Sequence, residues 1–226
     1  MAVVVPIFNE AANLPRIIRQ VDEAVRGSGC DYHIICVDDG SSDHGTEQLE
    51  GMDSVTVIRH PENRGYGAAL RTGFAHAGGF DYVAFLDADA TYPPAELTRL
   101  LQRMERDDAA AMCIGSRMVI PNEMEPLRRI GNRLYARLCQ ILFGSTLSDV
   151  CSGMRVFRAD LLSTLDWDGL SDDLDFSPQL TSRCLCRRIP VVEIPIDYKE
   201  RGGHSKLKIF RHGWRFLGSI IRERLP

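Results

Sequence analysis

Short apolar runs alternate with amphipathic stretches through the first half of the chain. "AVVVPI" (2–7), "YHIICVD" (32–38), "SVTVIRH" (54–60), "DYVAFLD" (81–87) and "AAMCIGSR" (110–117) read as strands, because each is brief, rich in β-branched or aromatic residues and closed by polar ones. Between them, Leu14, Ile17, Ile18, Val21 and Val25 recur at helical spacing over 11–26. Further helices are expected from near Asp43, near 66–77, and from about Pro94 to Arg106, where Pro94 suits a first turn. Strand–helix alternation at this spacing predicts an α/β fold with a doubly wound, mostly parallel sheet flanked by helices. Beyond residue 117 the pattern loosens. "PLRRIGNRLYARLCQILFG" (126–144) reads as a basic amphipathic helix, "DVCSGMRVFRADLL" (149–162) as a turn and short strand, 175–188 as a helix and "IPVVEIPIDY" (189–198) as a last strand.

Composition narrows the class. With 226 residues, 44% hydrophobic and 26% charged, the chain suits one domain with one substantial core, covering 1–226. A net charge of −4 provides no general basic field for nucleic acid. Seven cysteines without a CxxC pair suit a reducing compartment, and Cys184-x-Cys186 lacks the second pair a metal site would need. No stretch has the ~20 apolar residues of a membrane span, and the N-terminus lacks the charged region of a signal peptide. The expected location is therefore the cytoplasm.

Polar clusters close three of the strands: Asn9 and Glu10, Asp38 and Asp39, Asp87 and Asp89. Taken singly, Asn9, Ser42 or Asp43 would serve as a helix N-cap. In a parallel sheet, however, these strand ends share one edge, where open α/β sheets bind ligands. Crowded carboxylates repel unless a cation or donor groups neutralise them, and hard oxygen ligands suit Mg²⁺ or Mn²⁺ shared with phosphate. "DADAT" (87–91) also fits a phosphatase, with Asp87 as nucleophile and Asp89 as general acid. That arrangement belongs on a first strand, whereas three strand–helix units precede it here. "GYGAAL" fails the dinucleotide fingerprint at Leu70.

"VVVPIFNEAANL", "VDDGSSDHGT", "NRGYGAALRTGF", "FLDADATYPP" and "IGSR" together resemble, in order and spacing, the family-two glycosyltransferases of GT-A type. "SDVCSGMRVF" and "GGHSKL" resemble its polyprenyl-phosphate branch, typified by dolichyl-phosphate mannose synthase. The resemblance implies that Pro6, Phe8, Glu10, Val37 and Asp39 hold the nucleoside, with 1–117 as the nucleotide-sugar half. It implies that Asp87, Ala88 and Asp89 meet the diphosphate, with Asp87, Asp89 and Thr91 around the metal. Arg117 would face phosphate as part of the catalytic set, and Lys206 would close over the diphosphate. Three positions depart from the family: Phe8 stands where Tyr is frequent, Thr91 where Gln is frequent, and Glu200 where an arginine is expected, leaving Arg201 or Lys199 to substitute.

The acceptor half, 118–226, is read from charge. Arg128, Arg129, Arg133 and Arg137 lie near one helical stripe, either a solvated face or, beside a phosphate site, a clamp for a lipid phosphate through Arg117, Arg129 and Arg133. The tail interleaves Lys206, Lys208, Arg211, Arg215 and Arg222 with Trp214, Phe216, Leu217, Ile220 and Ile221. That composition suits a helix lying on an anionic membrane surface at the inner face; the alternative is a helix packed on the domain or on a second copy in a homo-oligomer. A phosphate monoester is largely dianionic at neutral pH and needs no general base, whereas a hydroxyl would, from Asp149 or the Asp172, Asp173, Asp175 cluster. The expected function is an inverting transfer of a hexose from a GDP- or UDP-linked sugar to a polyprenyl phosphate; the alternative is a hydroxyl acceptor.

Overall fold

The computed structural model describes residues 1–49, 51–167, 169–199 and 209–224. Seven strands form one sheet: β1 (Ala2–Ile7), β2 (His33–Asp38), β3 (Val55–Arg59), β4 (Tyr82–Phe85), β5 (Met112–Ser116), β6 (Arg155–Arg158) and β7 (Val191–Pro195). Their order is β3-β2-β1-β4-β6-β5-β7. Four of the six pairings are parallel; β6 runs antiparallel to both β4 and β5. The helices are α1 (Leu14–Arg26), α2 (Tyr66–Ala75), α3 (Glu96–Glu105), α4 (Pro126–Phe143), α5 (Leu161–Thr164), α6 (Phe176–Cys186) and α7 (Ile209–Arg222).

The apolar run of β1 has no polar alternate because both faces of the strand are covered. Val3, Val5 and Ile7 face one core with Leu14, Ile17, Ile18 and Val21 of α1 and Leu97, Leu100 and Met104 of α3. Ala2 and Val4 face the opposite core with Leu70 and Phe74 of α2 and Phe176 and Leu180 of α6. A period of two sends successive side chains to opposite sides, so a strand sandwiched between helices must be apolar throughout. Phe74, Phe85, Phe157 and Trp167 pack within the second core at centroid separations of 5.2 to 6.1 Å.

The sheet order reverses between β1 and β4, which opens a crevice beyond the carboxyl ends of these strands. β4 ends just before Asp87 and β1 just before Phe8.

Several sequence expectations shift. The element near Asp43 is a single 3₁₀ turn, Gly45–Leu49. The Asp43 carboxylate accepts the N–H groups of Ala11 and Gly45, so the segment is tied to the end of β1 before a helix can propagate. The α3 helix starts at Glu96, after two prolines whose carbonyls accept the N–H groups of Glu96 and Leu97. The C-terminal helix packs on the domain. Phe216 and Ile220 are buried, Ser219 donates to Asp175 Oδ2 at 2.6 Å, and Glu223 accepts from Arg183 and Gln179 on α6. Among the described residues no helix is long and apolar enough to cross a membrane.

Gly73 lets α2 lie directly on β1, since a Cβ there would collide with Val4. Gly73→Ala should therefore destabilise the protein by about 1–3 kcal/mol through overpacking, read as a lowered urea midpoint at unchanged slope.

Candidate active site

The crevice is a cleft of about 430 Å³ lined along one wall by Pro6, Phe8, Glu10, Asp39, Asp87, Ala88 and Asp89, the residues that follow or end β1, β2 and β4. The opposite wall comes from Leu127, Arg128, Asn132 and Tyr135 of α4 and from Gly213 and Phe216 of α7. Arg117, Tyr92 and Tyr198 lie at its floor.

Each carboxylate is fixed by donors that the local sequence supplies. Asp38, the first of the "DD" pair, is structural: it accepts the Ser41 N–H at 2.9 Å and the Thr46 hydroxyl at 3.0 Å and shapes the turn. Asp39, one residue on, lines the cleft. Asp87 accepts the phenol of Tyr66 on Oδ1 at 2.8 Å. Burial and the adjoining Asp87 carboxylate push that phenol's pKa up, so it remains a donor. On the other side of Asp87 stands Gly153, where a Cβ would overlap the carboxylate. Asp89 Oδ1 accepts the Thr91 N–H at 3.1 Å and its hydroxyl at 2.6 Å. Ala90, between Asp89 and Thr91, has φ 64°, a left-handed conformation that alanine adopts only under local constraint.

Arg117 is 8% exposed and pairs in two-pronged fashion with the fully buried Asp149: Nε to Oδ2 at 2.7 Å and Nη2 to Oδ1 at 2.9 Å. Its third nitrogen donates to the Tyr92 hydroxyl at 2.9 Å, which also accepts the Gly153 N–H at 2.8 Å. The guanidinium lies over the rings of Tyr92 and Tyr198 at 5.7 and 5.4 Å. Burial alone would push the Asp149 carboxyl up; the Arg117 guanidinium and the N–H groups of Arg117 and Cys151 outweigh it and hold it below the usual carboxylate range.

The loop 148–153 is anchored from beneath. Arg155, fully buried, donates to the carbonyls of Val150, Ser152 and Ser177 and to the Thr181 hydroxyl. Glu193 on β7 accepts the N–H groups of Ser148 and Asp149.

The expected residues therefore divide. Pro6, Phe8, Glu10, Asp39, Asp87, Ala88, Asp89 and Arg117 converge on the cleft. Val37 does not: it is fully buried in the core on the α2 side of the sheet. Thr91 is 1% exposed and stands behind Asp89, bracing it rather than lining the cleft. Of the α4 arginines the one that reaches the cleft is Arg128; Arg129 holds Asn122 through Nη2 at 2.6 Å, and Arg133 is exposed outside the lining. Arg201, Lys206 and Glu200 lie outside the described residues. Sequence reasoning did not select Tyr66, Tyr92, Gly153 or Tyr198. Tyr66 had a signal in the glycines on either side of it, which mark a turn pressed against other backbone; the others lie far in sequence from the groups they touch.

Asp87 and Asp89 are the groups suited to a metal. Mg²⁺ is held through one or two carboxylates plus substrate phosphates, and two fixed carboxylates facing an open cleft match that donor set. Among the described residues there is no group of three or more His, Cys, Asp or Glu that would bind a metal unaided.

The profile of the family Glycosyl transferase family 2 matches residues 2–166. A low-salt glycan biosynthesis hexosyltransferase of Haloferax volcanii, Agl6, is 34% identical over 98% of this chain, which spans about half of that relative's length (53%). A dolichyl-phosphate hexose transferase of the same organism is 31% identical over 98% of this chain and 92% of its own. A polyprenol monophosphomannose synthase of Mycolicibacterium smegmatis is 33% identical over 99% of this chain and 83% of its own. Glucosyl-3-phosphoglycerate synthase of Mycobacterium tuberculosis, solved with Mn²⁺, UDP and glucosyl-3-phosphoglycerate, superposes with a TM-score of 0.78 at 16% identity, covering 100% of this chain and 80% of that one. Its likeness establishes the fold.

Because Tyr66 orients Asp87, Tyr66→Phe should weaken Mn²⁺ binding by about 10–100-fold while leaving the melting temperature without metal nearly unchanged. Mn²⁺ titration followed by isothermal calorimetry reads this directly.

Proposed function

The chain belongs to glycosyl transferase family 2, and we propose that it moves a hexose from a nucleotide-diphosphate sugar to a polyprenyl phosphate with inversion at the anomeric carbon. The observation that carries this reading is the convergence of Glu10, Asp39, Asp87 and Asp89 on one cleft whose far wall is basic and apolar.

In this reading Pro6, Phe8, Glu10 and Asp39 bind the nucleoside, so residues 1–117 form the donor half. Asp87 and Asp89 would hold Mg²⁺ or Mn²⁺, and Ala88 between them would meet the diphosphate. A divalent metal held there would supply positive charge to offset that developing on the departing diphosphate. The acceptor's phosphate oxygen attacks the anomeric carbon as the bond from that carbon to the diphosphate breaks, releasing the nucleoside diphosphate. Arg117 and Arg128 are the cleft-lining cations that orient the acceptor phosphate. Arg117 arrives prefixed by Asp149, so little reorganisation is needed as charge shifts.

A phosphate acceptor is favoured over a hydroxyl by the state of the remaining carboxylates. Asp149 is locked to Arg117, Asp172 pairs with Arg71, Asp173 with Arg215, and Asp175 accepts from Ser171 and Ser219. Each of these carboxylates is already engaged by a cation or by hydroxyl donors, whereas a dianionic phosphate requires no base.

A lipid acceptor is supported by the outer surface of α4. Leu127, Ile130, Leu134 and Ile141 are 43 to 71% exposed and form a strip along it, with Arg133 and Arg137 on its flank. Leu127 also lines the cleft, so the strip runs into the site. Trp214 on α7 is 76% exposed. An apolar strip edged by arginine suits the headgroup boundary of an anionic bilayer. We place the protein peripherally on the inner face, in the cytoplasm, where seven free thiols would stay reduced.

With Mn²⁺ and a panel of UDP- and GDP-hexoses, labelled sugar should pass into the organic phase with polyprenyl phosphate and not with polyprenol. Asp89→Ala should lower the rate by about 100-fold or more. Transfer to polyprenol, or to a soluble hydroxyl acceptor alone, would replace this reading with the hydroxyl one. Separately, Leu134→Asp combined with Ile141→Asp should abolish flotation with anionic vesicles without changing nucleotide affinity; unchanged flotation would remove α4 from the membrane contact.

A further inference from the structure

The proposed donor leaves the nucleotide base open, and the surroundings of Asp39 bear on it. A carboxylate offers about four lone-pair positions. On Asp39, Oδ1 accepts the Arg64 N–H at 2.9 Å and meets His60 Nδ1 at 2.7 Å. Oδ2 accepts the Gly65 N–H at 2.8 Å. Since an ionised carboxylate only accepts, His60 Nδ1 is the protonated nitrogen. The ring has no latitude to turn away, because it is 7% exposed and its Nε2 meets the Thr72 hydroxyl at 2.9 Å on α2. Oδ1 is thereby filled, and one acceptor position remains, on Oδ2.

Uracil and guanine make different demands on that carboxylate. Uracil presents a single N–H, at N3, between two carbonyls. Guanine presents two adjacent donors, N1–H and the N2 amino group, which need both oxygens of one carboxylate. Leaving one of these donors buried without a partner costs about ten- to a hundredfold in affinity.

We propose that His60 is the residue that sets base selectivity: by occupying Asp39 Oδ1 it leaves a one-donor site and makes the cleft selective for uridine over guanosine nucleotides. The proposal rests on the reading above that Asp39 faces the base. His60 acts through Asp39 and is a positioning residue. Its position at the end of β3 shows why the local sequence hides this role: as "VIRH" it reads only as a strand end, and the partner lies 21 residues earlier.

The test is calorimetric binding of UDP and GDP, each with Mn²⁺, to wild type, His60→Leu and His60→Gln, with thermal melts to confirm folding. Wild type should prefer UDP by about tenfold or more. His60→Leu, which frees an acceptor position, should shrink that ratio to within about threefold. His60→Gln, which can return an N–H to Asp39, should restore much of it. Should His60→Leu fail to fold, the UDP-to-GDP ratio of wild type and of His60→Gln still decides. Tighter binding of GDP by wild type, or a His60→Leu that weakens both nucleotides by the same factor, would overturn the assignment while leaving the donor site standing. Binding of neither nucleotide would overturn both the assignment and the reading of the cleft.

Discussion

Burying the Arg117 guanidinium against Asp149 joins parts of the chain that nothing else would hold in register. Arg117 follows β5, Asp149 lies in the long connection to β6, and Tyr92 belongs to the loop after β4. Two charges taken out of water are tolerated only when every polar position is satisfied. Here both carboxylate oxygens, the guanidinium and the Tyr92 hydroxyl are engaged, and Gly153 donates into the same group. That junction brings Gly153 against Asp87, and so the position of the cleft carboxylates follows from a pair that is itself almost wholly buried.

The same logic runs through the acidic edge of the sheet. Carboxylates gathered at neighbouring strand ends repel one another, and each is engaged by donors fixed in place: Tyr66 for Asp87, Thr91 for Asp89, and two backbone N–H groups with His60 for Asp39. The hydroxyls on Asp87 and Asp89 orient those carboxylates without cancelling their charge, which leaves the cleft able to attract a cation. Beneath it, Arg155 and Glu193 fasten the loop that carries Asp149 by its carbonyls and N–H groups respectively.

The wall formed by α4 and α7 follows different rules. The α7 helix is fixed by ion pairs and hydrogen bonds, Arg215 to Asp173 and Asp175 and Glu223 to Arg183, in addition to the burial of Phe216 and Ile220. The α4 helix buries Asn132, Ala136 and Cys139, packs Leu138 and Leu142 against the core, and turns Leu127, Ile130, Leu134 and Ile141 outward. An amphipathic pattern tells that a helix has two faces, but whether the apolar one meets the protein or something else depends on what packs beside it.

By itself the sequence determined the seven strands, the parallel character of the sheet and the edge at which Glu10, Asp39, Asp87 and Asp89 meet. The reason is physical: strand period, doubly buried apolar runs and polar strand ends are local patterns, and the βα handedness rule brings those ends together. The grouped motifs likewise made the family recognisable. Tertiary structure alone decided which side chains support which. The resemblance made Val37 a site residue, yet it lies within β2 and its side chain is taken up by the core on the α2 side, whereas Asp39 stands past the strand end, where the cleft opens. Thr91 proved a brace for Asp89, and Arg128 rather than Arg129 or Arg133 reached the cleft because one residue is a turn of about 100° on a helix. Asp149 with Arg117 is separated by 32 residues, His60 with Asp39 by 21 and Tyr66 with Asp87 by 21. Contacts across such separations are set by how the layers pack, and no local period encodes them.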